Sequence, residues 1–387
     1  MTESADIVIV GGGPVGAALA LALQPSGLDV LSLEARTPEA AALVADDRPL
    51  ALSHGSRLIL ERLDVWGALV SATPITRIHV SQAGGFGRVL LDAHDEGLPA
   101  YGYVVPYAEL LRALTQAAQQ RVPRYRLGAR VTGIAGEGAS AVVEYARDSG
   151  LTDTASAPLA VVADGGSLVA GVDMRSRDYG QTAVTARVRA ELAHGGTAYE
   201  RFTRHGPLAL LPMGRDMALI WTTTPERAVE LSALNERGFL AALQGEFGGR
   251  LGAFVSAKGR SLYPLTLKYA RHIVLPRTIL IGNAAQTLHP VAGQGFNLGL
   301  RDAWELGEEL TACEPEWLVQ PEMLERVRRH RQIDRAASIR FTDTLVRVFS
   351  NDVTPARWAR GAALAALDQL PPLKSFLARR MTFGARG

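Results

Sequence analysis

Residues 7–34 read IVIVGGGPVGAALALALQPSGLDVLSLE, and this stretch decides the fold. Ile7 to Val10 is short, wholly apolar and β-branched, as a parallel strand buried on both faces requires. The alanine- and leucine-rich segment to about Gln24 reads as a helix, and Asp29 to Glu34 as a second strand. The chain therefore opens with a βαβ unit. Gly11, Gly13 and Gly16 form the pattern GxGxxG. The first glycine allows a tight turn, the second lets the backbone approach a pyrophosphate, and the third lets helix and strand pack closely. Amides and dipole at the helix start can then hold phosphate charge. Glu34 closes the second strand eighteen residues after Gly16. A carboxylate there can accept hydrogen bonds from a ribose diol and would repel a 2′-phosphate. The loop points to a dinucleotide without saying which one.

Two later strands carry the same logic. Pro158 to Ala163 runs into Asp164-Gly165, and Thr278 to Ile281 runs into Gly282-Asn283. Apolar runs that end in a polar turn are how an open α/β sheet delivers residues to a ligand. Residues 279–301 read ILIGNAAQTLHPVAGQGFNLGLR, where Pro290, Gly293 and Gly295 precede a helical segment. That helix start supplies amides suited to the electron-rich edge of a flavin, or to the negative charge it gains on reduction. Between the two strands, Tyr179 to Tyr269 alternates polar and apolar residues (TAVTARVRA, LALLPM, MALIWTTT), which predicts an antiparallel sheet. Pro225 to Phe247 reads as one inserted helix, and the tail from Pro321 onward as helices.

Composition removes several classes of function. The chain of 387 residues carries 41 basic and 39 acidic residues, without the basic excess of a nucleic-acid protein. Cys313 is the sole cysteine, which excludes an internal disulfide and any multi-cysteine metal site. No metal is expected, and Cys313 itself reads as buried or incidental. MTESAD leads straight into a strand, and no apolar run approaches the ~18–20 residues that span a bilayer. The expectation is a cytoplasmic protein, with a peripheral position at the inner membrane face left open.

The three motifs, in this order, resemble those of the aromatic-ring hydroxylases with the para-hydroxybenzoate hydroxylase fold. Residues 279–301 look like that family's second FAD motif, Asp164-Gly165 like its central Asp-Gly motif, and Arg48 in DDRPLALSHGS like an arginine placed near the flavin. The stretches RPLALSHGSRLILERLDVWG, ERFTRHGPLALLPM and GNAAQTLHPVAGQGFNLGLRD are most similar to the ubiquinone-biosynthesis hydroxylases of the 2-polyprenyl-6-methoxyphenol branch. The resemblance implies an α/β fold with a Rossmann-like FAD-binding domain (residues 1–74, 99–178 and 271–320). It implies a substrate domain built on an antiparallel sheet (75–98 and 179–270), with a helical C-terminal region at 321–387. FAD would be held by Gly11, Gly13, Gly16, Glu34, Arg48, Asp164, Gly165, Gly282, Asn283, Gly293, Gly295 and Asn297. NAD(P)H would reduce it, and a C4a-hydroperoxide formed with O2 would hydroxylate a prenylated phenol. With both ortho carbons substituted, attack para to the phenol would give a hydroquinone.

Two departures from the family pattern stand out. Asn283 replaces the usual aspartate, and Asp164-Gly165 continues as Gly166-Ser167-Leu168 with no arginine nearby, whereas the family's central motif usually continues with a serine and then an arginine. His289 and Pro290 are expected at the flavin edge, with His289 either handling protons or serving as a turn residue. His205, Leu208, Leu210 and Pro212 are the expected substrate wall, whereas Trp66 and Trp221 read as packing residues. A flavin-dependent reductase of prenyl double bonds, or a non-catalytic flavoprotein of a biosynthetic complex, remains as the alternative. From Pro321 onward thirteen Arg or Lys face six Asp or Glu, so this region is net +7. Its helices either bind a membrane surface or cap the FAD domain.

Overall fold

A strand with no polar side chain can sit only where both faces of its sheet are covered. In the computed structural model, which describes residues 2–42, 46, 48–165, 172–287, 294–349 and 354–384, all of β1 (Ile7–Val10) is buried. It is joined through α1 (Pro14–Leu23) to β2 (Val30–Leu33), which pairs beside it in parallel. Then come β3 (Pro49–Ser53), α2 (His54–Arg62) and the hairpin of β4 (Arg77–Gln82) and β5 (Arg88–Asp92). Next, β6 (Arg124–Arg126) and β7 (Leu159–Val162) return to the first sheet. The chain continues through β8 (Met174–Ala190), β9 (Thr197–Thr203), β10 (Gly206–Met213) and β11 (Asp216–Thr223). Then follow α3 (Pro225–Ala233), α4 (Glu236–Phe247), β12 (Phe254–Ala270), β13 (Thr278–Leu280) and β14 (Gln286–Thr287). Four helices close the described chain: α5 (Gln294–Thr311), α6 (Pro321–Phe349), α7 (Thr354–Gln369) and α8 (Pro371–Phe383).

The first sheet has the order Val274–Leu275, β13, β7, β1, β2, β6, and is parallel apart from its first, two-residue edge. The second runs β14, β12, β8, β11, β10, β9, β4, β5. It is antiparallel except where β9 lies parallel to β4. The fold is thus the expected α/β arrangement, a Rossmann-like layer with an antiparallel sheet inserted. The β4–β5 hairpin joins that sheet through a parallel pairing across more than a hundred residues, which no local pattern encodes.

One local expectation fails. Pro225 to Phe247 is two helices rather than one, because two caps compete for the segment. Thr224 accepts a hydrogen bond from the Arg227 amide at 3.4 Å, and Asn235 accepts one from the Gly238 amide at 2.8 Å. Asn235 thereby starts a new helix where the first would have continued. Together α3 and α4 cover one face of the second sheet, packing Leu231, Phe239 and Leu243 against Leu208, Leu210 and Trp221. Trp221 is the packing residue its context suggested.

The C-terminal region is anchored through buried charge. Asp302 on α5 accepts hydrogen bonds from the Gly282 amide at 3.0 Å and from Gln286 Nε2 at 2.8 Å, and it ion-pairs with Arg331 on α6. Arg331 also meets Glu305 at 2.7 Å and Asp334 at 3.5 Å, while Arg301 reaches Asp334 at 2.9 Å. Burial opposes the charge on Arg331, but the three carboxylates outweigh it and hold the guanidinium firmly protonated. Removing one partner of such a network leaves the others charged and dry, at about 3–5 kcal/mol. Arg331→Met should therefore lower the unfolding free energy read from chemical denaturation by that much, with a matching fall in the midpoint. Arg329→Met, whose exposed ion pair contributes little, should barely move it. Matching midpoints for the two variants would show the buried network to be dispensable.

Candidate active site

The glycine loop is held from every side. Gly11 sits at φ +97°, and a Cβ there would lie 2.7 Å from the Asp164 Cα. A Cβ on Gly16 would lie 1.8 Å from the Gly11 carbonyl oxygen, so only glycine lets α1 start this close to β1. The intervening Gly12 peptide is clamped at both ends. Its N–H donates to Glu34 Oε2 at 2.6 Å, and its carbonyl accepts from the Tyr125 hydroxyl at 3.0 Å and from Arg36 Nη2 at 3.3 Å. The other oxygen of Glu34 accepts from the Arg36 amide at 2.9 Å and from Arg36 Nε at 2.6 Å. Arg36 and Tyr125 went unnoticed in the sequence. Arg36 could have been found, since it stands two places after Glu34. Tyr125 arrives on β6, 113 residues after the Gly12 it bonds, and has no local signature.

Gly13, by contrast, faces open space, with nothing within 4 Å of an ideal Cβ. It borders a cavity of about 1160 Å³ that Glu34, Arg36, Arg48, Asp164, Gly165, Gly282, Asn283 and Gly295 also line. With Pro14 opening α1 at the same wall, the first-turn amides point into this end. The open glycine face, the helix start and the Glu34 carboxylate suit the pyrophosphate and ribose of FAD. Arg48 lies 4.2 Å over the Tyr107 ring and pairs with Asp46 at 3.1 Å. Gly282 follows β13 at φ +58°, with its amide committed to Asp302. Gly166, Ser167, Leu168, His289, Pro290 and Gly293 lie outside the described residues.

Asn297 is placed differently from expectation. It is buried away from the large cavity, accepting from the Ser53 amide at 2.8 Å and from the Ser56 hydroxyl at 2.7 Å. Its Nδ2 donates to the Ala51 carbonyl at 2.9 Å. Helical rotation explains the difference, because Gly295, Phe296 and Gly299 turn toward the cavity and carry Asn297 round to β3 and α2. It positions the strand whose Pro49, Leu50 and Ala51 do line the cavity.

The expected substrate wall is out by one residue. Leu208, Leu210 and Pro212 do not border the cavity, and the two leucines pack under α4. Pro207, Ala209 and Leu211 line it instead. Side chains alternate along a strand, so a shift of one position exchanges the two faces. His205 sits in the turn between β9 and β10, where its Nε2 accepts from Arg204 Nε at 2.9 Å, and it also stays off the cavity wall. Leu364, Leu367 and Leu377 of α7 and α8 close the far end, so the C-terminal helices cover more than the FAD layer. Among the wall residues of the second sheet stands an unforeseen carboxyl, Glu200, which burial alone raises to about 7.

These placements separate folding from cofactor binding. Gly13 has an ordinary φ of −60° and open space, so Gly13→Val should fold normally yet purify without flavin absorbance. Equal flavin content would remove this loop from the cofactor site. Asn283 is exposed to the cavity, and Asn283→Leu should weaken FAD binding roughly ten- to a hundredfold, the effect of taking one polar partner from a group the bound cofactor buries. Asn283→Asp should retain it, with a flavin titration as the measurement.

Residues 4–340 match the family described as FAD binding domain. The ubiquinone hydroxylase UbiL of Rhodospirillum rubrum is 37% identical, the match covering 97% of this chain and 89% of that protein. The 3-demethoxyubiquinol 3-hydroxylase of Escherichia coli is 32% identical across 96% of this chain and 97% of its own. Among solved structures, p-nitrophenol 4-monooxygenase from Pseudomonas putida superposes with a TM-score of 0.78, each chain wholly covered. At 16% identity, that last likeness speaks for the fold alone. A glycine loop clamped as a dinucleotide site, in a chain this similar to those enzymes over nearly its whole length, has one consistent identity: it belongs to the FAD-binding family that includes the ubiquinone hydroxylases, and it is an FAD-dependent aromatic hydroxylase.

Proposed function

We propose that the chain hydroxylates a prenylated phenol in ubiquinone biosynthesis, with NAD(P)H as reductant and O2 as the source of the new oxygen. One observation carries this beyond the family assignment. The cavity that begins at the FAD loop continues without a break into an apolar chamber, walled by Ile78, Val80, Val89, Leu91, Phe202 and Leu211. At about 1160 Å³ it exceeds the ~300–1,000 Å³ of a site for one small ligand. It suits FAD together with an aromatic ring and an isoprenoid tail.

The residues divide the work. Gly11, Gly13 and the start of α1 would take the pyrophosphate, Glu34 the adenosine ribose, and Asp164 and Asn283 the flavin side. When bound, FAD supplies the reductive activation of oxygen. The apolar sheet face and Leu364, Leu367 and Leu377 keep water from the ring during oxygen transfer, which limits unproductive decay. Binding of the tail is favoured by burying apolar surface, at ~25 cal/mol per Å².

A prenylated phenol is scarcely soluble, and the outer surfaces of α7 and α8 offer a route to it. Trp358, Leu370, Leu373 and Phe376 are exposed there beside the exposed Arg379 and Arg380. Basic residues near anionic lipid contribute about 1 kcal/mol each, and exposed apolar side chains add to this. These helices would then stand between a membrane surface and the cavity they close.

Two measurements test the proposal. Purified protein given NADH or NADPH, 18O2 and 2-geranyl-6-methoxyphenol should add one labelled oxygen to the ring. Oxygen-independent saturation of the geranyl chain would establish the reductase alternative, and no turnover of any prenylated phenol would sink the assignment. Leu373→Glu/Phe376→Glu should lose sedimentation with phosphatidylglycerol vesicles at low salt yet still turn over the short-chain phenol. Wild type that ignores such vesicles would direct substrate delivery to a partner protein.

A further inference from the structure

The face that the second sheet turns to the cavity is apolar apart from the Thr222 hydroxyl on β11 and a single carboxyl. Glu200 on β9 pairs in register with Ala209 on β10 and with Val80 on β4. Ala209 in turn stands opposite Ile220 on β11, and Val80 opposite Val89 on β5. All five residues line the cavity, so Ile220, Ala209, Glu200, Val80 and Val89 form one row across five strands, with a single carboxyl at its centre. The neighbouring row of Ala198, Ile78 and Leu91 is wholly apolar. Among the described residues no side chain pairs with Glu200. Arg201 lies on the opposite face, where its Nε donates to the Glu246 carbonyl at 2.8 Å, and His79 is stacked against Tyr199. From α7 come Leu364, Leu367 and Arg360, and Arg360 Nε is engaged by Gln82 Oε1 at 3.2 Å. No side chain among the described residues pairs with this half-buried carboxyl, which stands in a largely apolar wall and opens onto the cavity.

Resting on the reading that the substrate is a phenol, we propose that Glu200 receives the phenol hydroxyl and acts as its general base during ring oxygenation. The oxidant and reductant are the O2 and nicotinamide of that reaction. As the ring carbon bonds one atom of O2, the O–O bond breaks and the other atom leaves as water with the two electrons of the nicotinamide. Meanwhile the phenol O–H bond breaks and its electron pair moves into the ring. The proton passes to a Glu200 carboxylate oxygen. When aromaticity is restored, the ring carbon loses its hydrogen to water as a proton and Glu200 returns its own proton to the phenol oxygen, ending as it began. A base is most effective when its pKa lies near the working pH. Glu200, raised to about 7 by burial, meets that condition. It must be ionised to accept the proton, so kcat/KM should rise as pH increases through about 7.

The test compares 2-geranyl-6-methoxyphenol with its methyl ether on FAD-loaded protein, with flavin content measured for each variant. Wild type should bind the phenol ten- to a hundredfold more tightly than the ether, and Glu200→Leu should erase that difference. Glu200→Gln keeps the shape but cannot take a proton. It should lower kcat/KM by about 10²–10⁴ and remove the rise near pH 7, whereas Glu200→Asp should retain the rise. A Glu200→Leu protein that still discriminates phenol from ether, or a Glu200→Gln protein that keeps the rising limb, overturns the proposal. Wild type that binds both compounds but hydroxylates neither would instead defeat the proposed reaction, and the binding comparison would still decide whether Glu200 holds the hydroxyl.

Discussion

Asp302 is the carboxylate on which the rest of the architecture turns. One of its oxygens holds the backbone at the end of β13 and the side chain of Gln286, and the other meets Arg331 on α6. Three parts of the chain far apart in sequence thus converge on one buried charge. Because a buried carboxylate must be paired or hydrogen-bonded to stay ionised, none of the three can move independently. The Gly282 turn, which carries Asn283 to the cavity, is consequently fixed by the helix that begins the C-terminal region.

That coupling changes the meaning of the C-terminal segment. Its positive charge draws attention to its surface, yet its most buried arginine is internal and structural. Helices α7 and α8 continue from this anchored base and present Leu364, Leu367 and Leu377 inward, while Trp358, Leu373 and Phe376 face outward. The same two helices therefore have one apolar surface in the cavity and another at the solvent boundary. A helix presents both when apolar residues occupy more of its circumference than one core can cover.

The second sheet shows the same economy in two dimensions. One face is covered by α3 and α4 and is filled by Leu208, Leu210, Trp221 and Phe239. The other is covered only at its β4–β5 end, by Leu364 and Leu367 of α7, and the rest of it becomes the chamber wall. On the first face Arg201 is engaged by neighbouring protein, its Nε donating to the Glu246 carbonyl. On the second face the carboxyl of Glu200 faces a space where a ligand belongs. The chemical difference between the faces follows from how much of each the helices cover.

Much of the cofactor end was legible in the sequence because its determinants are local. A tight turn demands glycine at Gly11, close packing demands it at Gly16, and Glu34 ends the adjoining strand, so their spacing between a strand and a helix pointed to a dinucleotide site. Asn235 also carried a local message, a helix start, that was overlooked within an apolar run. The substrate end was not legible in this way. Alternation announced a strand at 206–213, but the two faces of that strand are both apolar, and only the placement of α4 decides which residues see the cavity. Tyr125 on the Gly12 carbonyl, Asn297 on β3, Arg331 on Asp302 and the row containing Glu200 all depend on contacts between distant segments. The sequence by itself determined the βαβ start, the α/β class and the glycine loop, since short-range sterics and hydrogen bonding dictate them. Which face of each strand and helix meets the ligand was decided only by the tertiary structure, because burial is a property of what packs against a residue.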